Sequence, residues 1–346
     1  MKNYSSRTKK NTSARIIKHT LKKPTSGLRS GLRSRLIIGC HASISPSILD
    51  GIKYLDNIGG NAVQIFLGSN RSASMKTKTK LTNEDILAIR KYLHHSRITL
   101  IVHSIYLLNF CKAMPGSGRV QYMHDNIQHD LKLGAQLGAT CIILHLGFKN
   151  DMPIETAMKN LIANINKIIR DMPKGIMLSL ETSAGSGTQI GYTLEELANI
   201  WNGVKHNNSR IGSGMGSGMG INKKVGICID TAHIFVSGVD ISSVLGIQNY
   251  LNRFDKLIGW KNITNFHIND SRYASGTRKD EHRGIGSGLI YNTPTGKQAL
   301  KYIKTFCQKR KIPMILETHG AGSNDSEGSH AGEHGYKWEI EMIKHL

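Results

Sequence analysis

The 346-residue chain is short of several things, and each shortage narrows what it can be. It has five cysteines, an odd count with no C-x-x-C pair, so neither a disulfide framework nor a paired-cysteine zinc site is expected. Cys40, Cys141 and Cys228 fall inside apolar runs and Cys111 and Cys307 outside them, a pattern that reads as core thiols in a reducing, intracellular compartment. No stretch approaches the roughly 18 consecutive apolar residues of a membrane span, so no membrane partner is expected. The N-terminus has no apolar segment of the kind a secretory signal needs. The Gly-rich stretch I-G-S-G-M-G-S-G-M-G at 211–220 lacks the Lys-Ser/Thr of a phosphate-binding loop and reads as a low-complexity surface insertion.

Acidic residues are also scarce. There are 24 Asp and Glu against 46 Lys and Arg, a net charge of +22. Residues 1–35 hold eleven of the basic residues and no acid, and they carry the local repeat SGLRSGLRSRL. Without hydrophobic periodicity they read as a disordered basic arm. A DNA-binding arm, a nuclear signal and a mitochondrial presequence all fit that composition. Nucleus, mitochondrion, bacterial cytoplasm and viral or host cytoplasm therefore stay open. The remaining residues keep 35 basic side chains against 24 acidic ones, which points to a polyanionic partner.

What is present is a periodic order. From Leu36 onward, strand patterns at 36–41, 61–67, 98–103, 140–145, 176–181, 225–230, 263–268 and 312–317 alternate with helical ones. The helices are expected near 45–58, 82–96, 119–138, 153–170, 193–205, 241–258 and 294–309, with a last one near 336–345. Eight strands alternating with helices mean a closed (β/α)8 TIM barrel or an open doubly wound sheet. Seven of the eight end on a metal-binding side chain: His41, His103, His145, Glu181, Asp230, His267 and Glu317. In an open sheet such residues would cluster at one switch point; in a barrel every strand end faces the same mouth. The expected fold is therefore an α/β barrel over residues 36–346, a size compatible with the about 250 residues of that fold.

Three carboxylates sharing one mouth repel one another unless cations neutralise them, and the three histidines beside them suit divalent transition metals. D-T-A-H adds His233, three residues beyond Asp230, and R-K-D-E-H adds Asp280 and His282. That makes nine candidate ligands: His103, His145, Glu181, Asp230, His233, His267, Asp280, His282 and Glu317. Nine are too many for one ion, and three ions with a bridging carboxylate are expected. His41 has no obvious partner and is expected to support the ligands rather than bind. His94, His95, His124, His129, His206 and His345 lie on helical patterns, and His319, His330 and His334 on a Gly/Ser-rich loop; all are expected to be bystanders.

The motifs H-S-I-Y-L-L-N at 103–109, L-H-L-G at 144–147, L-E-T-S-A-G-S-G at 180–187 and C-I-D-T-A-H at 228–233 occur in that order. H-I-N-D-S at 267–271, R-K-D-E-H-R-G-I-G at 278–286 and I-L-E-T at 315–318 complete the set. Together they resemble the endonuclease IV family of apurinic/apyrimidinic endonucleases over about residues 36–346. The basic arm and the 211–220 insertion lie outside that pattern. The resemblance implies three Zn2+ ions, with Mn2+ or Fe2+ possible at some sites. His103, His145 and Glu181 would hold one, and Glu181 would bridge to a second held by Asp230, His267 and Glu317. His233, Asp280 and His282 would hold the third. It implies a monomer that cleaves duplex DNA 5′ to abasic sites and clears blocked 3′ ends, in base excision repair. Glu181 and Glu317 are the expected catalytic carboxylates. Arg71, Tyr106 and Leu107 match residues that enter the DNA. The neighbouring K-T-K-T-K at 76–80, with Arg272, Arg278 and Lys279, is suited to phosphate contacts. A metal-dependent sugar isomerase or epimerase on a related barrel, and a non-enzymatic DNA-binding protein, are the rival readings.

Overall fold

The computed structural model describes residues 34–211, 224–318 and 335–346. Most of the expected basic arm and of the 211–220 insertion lies outside the described residues, as do His319, His330 and His334 and the side chain of His206.

Eight parallel strands close into a barrel. They are β1 (Ile38–His41), β2 (Ala62–Phe66), β3 (Thr99–His103), β4 (Cys141–Leu144), β5 (Met177–Glu181), β6 (Val225–Asp230), β7 (Ile263–His267) and β10 (Met314–Leu316). Each pairs with its neighbour in sequence, and β10 closes the ring on β1. The last strand is shorter than its apolar run, because Pro313 has no N–H to give the ladder.

Strand parity decides which residues meet. Side chains alternate between the two faces, so every second residue points inside. Ala62, Ile101, Cys141, Ile143, Cys228 and Ile315 form the barrel's interior cluster. Val63, Ile65, Leu100, Val102, Ile142 and Leu144 pack instead in the larger core between barrel and helices. The parity that turns Ile101, Ile143, Cys228 and Ile315 inward carries His103, His145, Asp230 and Glu317 to the mouth two residues later. All five cysteines are free and buried.

The outer helices are α1 (Ile48–Asn57), α2 (Asn83–Ser96), α3 (Gly118–Leu137), α4 (Ile154–Asp171), α5 (Leu194–Ile211), α7 (Val244–Leu257) and α8 (Pro294–Arg310), with α9 (Gly335–His345) at the end. Their starts follow local chemistry. Ser47, Ser117, Ser243 and Thr293 accept N-terminal backbone N–H groups, and Thr82 forms a capping box with Asp85. Among the described residues no helix is long and apolar enough to cross a membrane.

Two features beside the mouth were not expected. The D-T-A-H segment is a short helix, α6 (Thr231–Val236), capped by the Asp230 carboxylate, which accepts the His233 N–H at 2.9 Å. After β7 a small antiparallel hairpin, β8 (Asp270–Ser271) with β9 (His282–Arg283), leans over the mouth. Both are too short for hydrophobic periodicity to register.

Candidate metal centre

The nine expected ligands converge. His103, His145 and Glu181 form one group whose ligand atoms all lie within 4.8 Å of one another. Glu181, Asp230, His267 and Glu317 form a second, and Asp230, His233 and His282 a third. Asp280 reaches the third group from the hairpin turn, with Oδ2 3.0 Å from His233 Nε2 and Oδ1 3.3 Å from His282 Nε2. Glu181 stands between groups: Oε2 is 2.9 Å from His145 Nε2 and 3.4 Å from His103 Nε2, while Oε1 is 2.9 Å from His267 Nδ1. The structure thus sets Asp230 close to both the second and the third group.

The imidazole rings are oriented as a cation site requires. His103 Nδ1 is 2.6 Å from the Ser104 carbonyl and His233 Nδ1 is 2.8 Å from the Thr182 carbonyl, so each donates there. His267 Nε2 donates to Gln64 Oε1 at 2.8 Å. The opposite nitrogen of each ring then faces carboxylates. His267 Nδ1 lies 2.9, 3.0 and 3.6 Å from Glu181, Glu317 and Asp230. A lone pair aimed at three carboxylates is repulsive unless a proton or a metal ion stands between them. The buried Nε2 of His282 lies off the line of any hydrogen bond and has no such partner among the described residues. The donor set, imidazole nitrogen with carboxylate oxygen, fits zinc and its divalent neighbours.

Without an ion, protons take its place. Burial works against a charge on these rings, but their neighbours outweigh it. Asp230 and Asp280 raise His282 to about 9. The same two carboxylates hold His233 well above the ordinary range, and Cys228, Glu317 and Glu181 do so for His267. At pH 7 metal-free His233, His267 and His282 are therefore protonated, and an ion must expel those protons to reach the lone pairs. Adding zinc to chelator-stripped protein at pH 7 should release protons, roughly one per displaced histidine proton. Apparent affinity should climb with pH through about 9, where His282 is half deprotonated. Titration calorimetry in buffers of different ionisation enthalpy measures this, and zero net release would contradict it.

Two site residues were not foreseen. Gln64, on β2, donates to Glu317 Oε1 at 2.6 Å and to His41 Nδ1 at 3.0 Å while accepting from His267. Asn269 donates to Asp230 Oδ2 at 2.7 Å, and its Oδ1 accepts the Glu317 N–H at 3.0 Å. One signal was available for Gln64: it is the lone polar side chain in the buried run A-V-Q-I-F, at an inward position. His41 is joined to the ligands through Gln64, and desolvation lowers it to about 4, so its neutral ring can accept that N–H.

Around the rim, Tyr106 and Leu107 are about half exposed, at 48% and 47%. The Tyr106 ring packs between Phe66 and His145, with centroids 5.4 and 5.3 Å away. Arg71 is exposed in the loop after β2. The K-T-K-T-K run divides: Lys76 and Lys80 are exposed, but Lys78 is buried and gives both contacts to the Asp130 carboxylate, at 2.9 and 2.8 Å. Lys78 is thus not a phosphate-facing residue. Arg272 pairs with Glu281 at 2.6 Å, Arg278 stacks on Tyr192 at 4.3 Å, and Lys279 lies 5.2 Å from the Tyr273 ring. Of the expected bystanders, His94, His95 and His345 are exposed, and His129 lies half-buried beside Asp130. His124 is buried and bonded to Asn164.

Comparison with known proteins follows the same lines. A sequence model of the family described as xylose isomerase-like TIM barrel matches residues 52–346. The chain is 32% identical over 312 residues to a probable endonuclease 4 of Bacillus subtilis (strain 168), covering 89% of this chain and 95% of that protein. It is 29% identical over 289 residues to a putative endonuclease 4 of Acanthamoeba polyphaga mimivirus, covering 81% and 85%. Among solved structures, endonuclease IV from Thermus thermophilus matches with a TM-score of 0.67 at 21% identity, covering 89% of this chain and 97% of that one. A D-tagatose 3-epimerase-like protein matches with a TM-score of 0.55 at 18% identity, covering 90% and 96%. Two chemistries on one architecture mean that these structural likenesses carry the fold alone.

Proposed function

The chain belongs to the endonuclease IV family, and from that premise we propose that it hydrolyses the phosphodiester 5′ to abasic sites in duplex DNA. The products would be a 3′-hydroxyl and a 5′-deoxyribose phosphate. The same centre would clear blocked 3′ ends, and the setting would be base excision repair. The observation that carries the reading is the convergence of nine ligand-type side chains in one mouth, with ring lone pairs facing carboxylates.

In this reading His103, His145 and Glu181 would hold one ion, and Glu181 would also serve a second site of Asp230, His267 and Glu317. His233, Asp280 and His282 hold a third. The ions are taken as zinc, with manganese or iron able to substitute. Bound divalent ions supply a hydroxide nucleophile at neutral pH, lowering the pKa of water from about 15.7 toward about 7, and neutralise phosphate charge.

The protein's own residues do the rest. Glu181 and Glu317 orient the nucleophile and are themselves fixed by the histidines and by Gln64 and Asn269. Ser104, Thr182 and Gln64 hold three imidazoles in the tautomers that leave ligating nitrogens free. Tyr106, whose ring lies against His103, and the half-exposed Leu107 would occupy the gap left when an abasic nucleotide swings out of the stack, with Arg71 entering from the loop after β2. The basic excess of the chain favours the phosphate backbone whatever its sequence. The chain is taken as a monomer.

A duplex carrying one tetrahydrofuran abasic analogue tests this. Zinc-loaded protein should nick once, 5′ to the analogue, leave undamaged duplex intact, and lose the activity on chelation. No nicking by the loaded protein would sink the endonuclease reading, and turnover of a ketose in its place would favour sugar chemistry.

A further inference from the structure

The hairpin that carries Asp280 and His282 is only two residue pairs long: Asp270 opposite Arg283 and Ser271 opposite His282. So short a ladder is a weak mount for two ligands, since an isolated two-stranded hairpin is marginal in water. The buried His282 Nε2 lies 3.3 Å from Asp280 Oδ1, off the line of a hydrogen bond, and has no hydrogen-bond partner among the described residues to hold the ring. Something else fixes this segment over the mouth.

Two buried carboxylates surround it. Asp270 is fully buried, and its oxygens accept five backbone N–H groups. Oδ1 takes Ser271 at 2.9 Å and Ile290 at 2.8 Å; Oδ2 takes Gly286 at 2.9 Å, Gly288 at 3.2 Å and Tyr291 at 3.3 Å. The chain leaving β9 is thus wound round one side chain. It passes so close that a Cβ on Gly288 would lie 2.4 Å from Asp270 Oδ1, which is why R-G-I-G-S-G has glycine there. The second carboxylate is Glu339 on α9, 3% exposed. Its Oε1 accepts the Ile285 N–H at 2.7 Å, and its Oε2 accepts the Thr318 hydroxyl at 2.6 Å, one residue beyond Glu317.

We propose that Asp270 and Glu339 form a clamp that positions His282 and Asp280 against His233, making both carboxylates positioning residues of the third metal subsite. The inference rests on the metal reading proposed above. Asp270 binds backbone N–H groups, and Glu339 binds the Ile285 N–H and the Thr318 hydroxyl; none of these partners is a candidate ligand, so their influence on an ion passes through loop geometry. Outer partners of metal ligands typically contribute about 10–100-fold in metal affinity.

The test uses the full chain, stripped with chelator and refilled with zinc. Zinc bound per chain and the affinity of each ion are read by equilibrium dialysis against a competing chelator. Amide exchange at Gly286, Gly288 and Ile290 is followed in the stripped protein. His282→Ala marks which ion belongs to the subsite. Asp270→Asn leaves N–H groups facing an amide N–H2, and should weaken that same ion by about tenfold or more, spare the others, and speed exchange at the three amides. Glu339→Leu should do likewise, whereas Glu339→Gln, which keeps an acceptor for Ile285, should stay near wild type. If Asp270→Asn does not fold, the Leu and Gln pair at 339 decides. Variants that hold the His282-dependent ion as wild type does would overturn the clamp alone. A wild-type chain that binds no ion dependent on His282 would overturn the metal reading beneath it and the clamp with it.

Discussion

Glu181→Gln is expected to lower nicking at an abasic analogue on the order of 10³-fold or more, about 4 kcal/mol in the barrier. The two oxygens of Glu181 face separate groups, His103 and His145 on one side and His267 on the other. The amide keeps the shape of the side chain but removes its charge and replaces one acceptor oxygen with N–H2, which cannot ligate. The histidines on that side would then face a donor instead of a carboxylate. Two ion sites should suffer together, so metal content should fall along with rate. Single-turnover nicking, with bound metal counted on the same sample, checks both. A variant that keeps full metal content and loses less than about tenfold in rate would remove Glu181 from the bridging role.

Lys78→Met is expected to destabilise the fold by about 3–5 kcal/mol, the cost of leaving a buried charge without its partner. The side chains of Lys78 and Asp130 are 2% and 1% exposed. The pair ties the loop after β2 to α3. Asn126 reinforces the tie by donating to the Ala73 carbonyl at 2.8 Å, and Gly68 and Lys78 bridge the two sides of the loop. In the variant, the nearest other group to the carboxylate is His129 Nδ1, 3.1 Å away and a quarter exposed. Lys78→Met with Asp130→Leu should recover most of the loss, because no lone charge is left inside. Urea unfolding of the single and double variants measures it. A loss below about 1 kcal/mol, the scale of an exposed pair, would mean that water reaches Asp130. The loop so anchored carries Arg71, so the pair also steadies one rim of the mouth.

The distance between these two predictions shows what was legible. Glu181 ends an apolar strand inside a recognisable motif, and its place in the site follows from parity along β5. Lys78 reads in the sequence as one cation among three in K-T-K-T-K. Nothing in that run separates the inward lysine from its exposed neighbours, because its partner lies 52 residues away on a helix. Gln64 is intermediate: its inward parity was readable, but its three partners come from β1 (His41), β7 (His267) and the residue just beyond β10 (Glu317). Asn269 sat within a motif already singled out, yet its bonds to Asp230 and Glu317 depend on how β7 lies between β6 and β10.

The sequence by itself determined the closed barrel and the set of nine ligand-type residues. Strand periodicity places alternate side chains on one face, and eight such strands leave their inward ends at one mouth. Only the tertiary structure decided how those residues are shared and held. It set Asp230 within reach of two groups, aimed three rings through Ser104, Thr182 and Gln64, turned Lys78 inward, and wound a loop round Asp270 and Glu339. Most of these contacts join residues from different strands, helices and loops, and local pattern carries no record of which remote partner a buried polar group will meet.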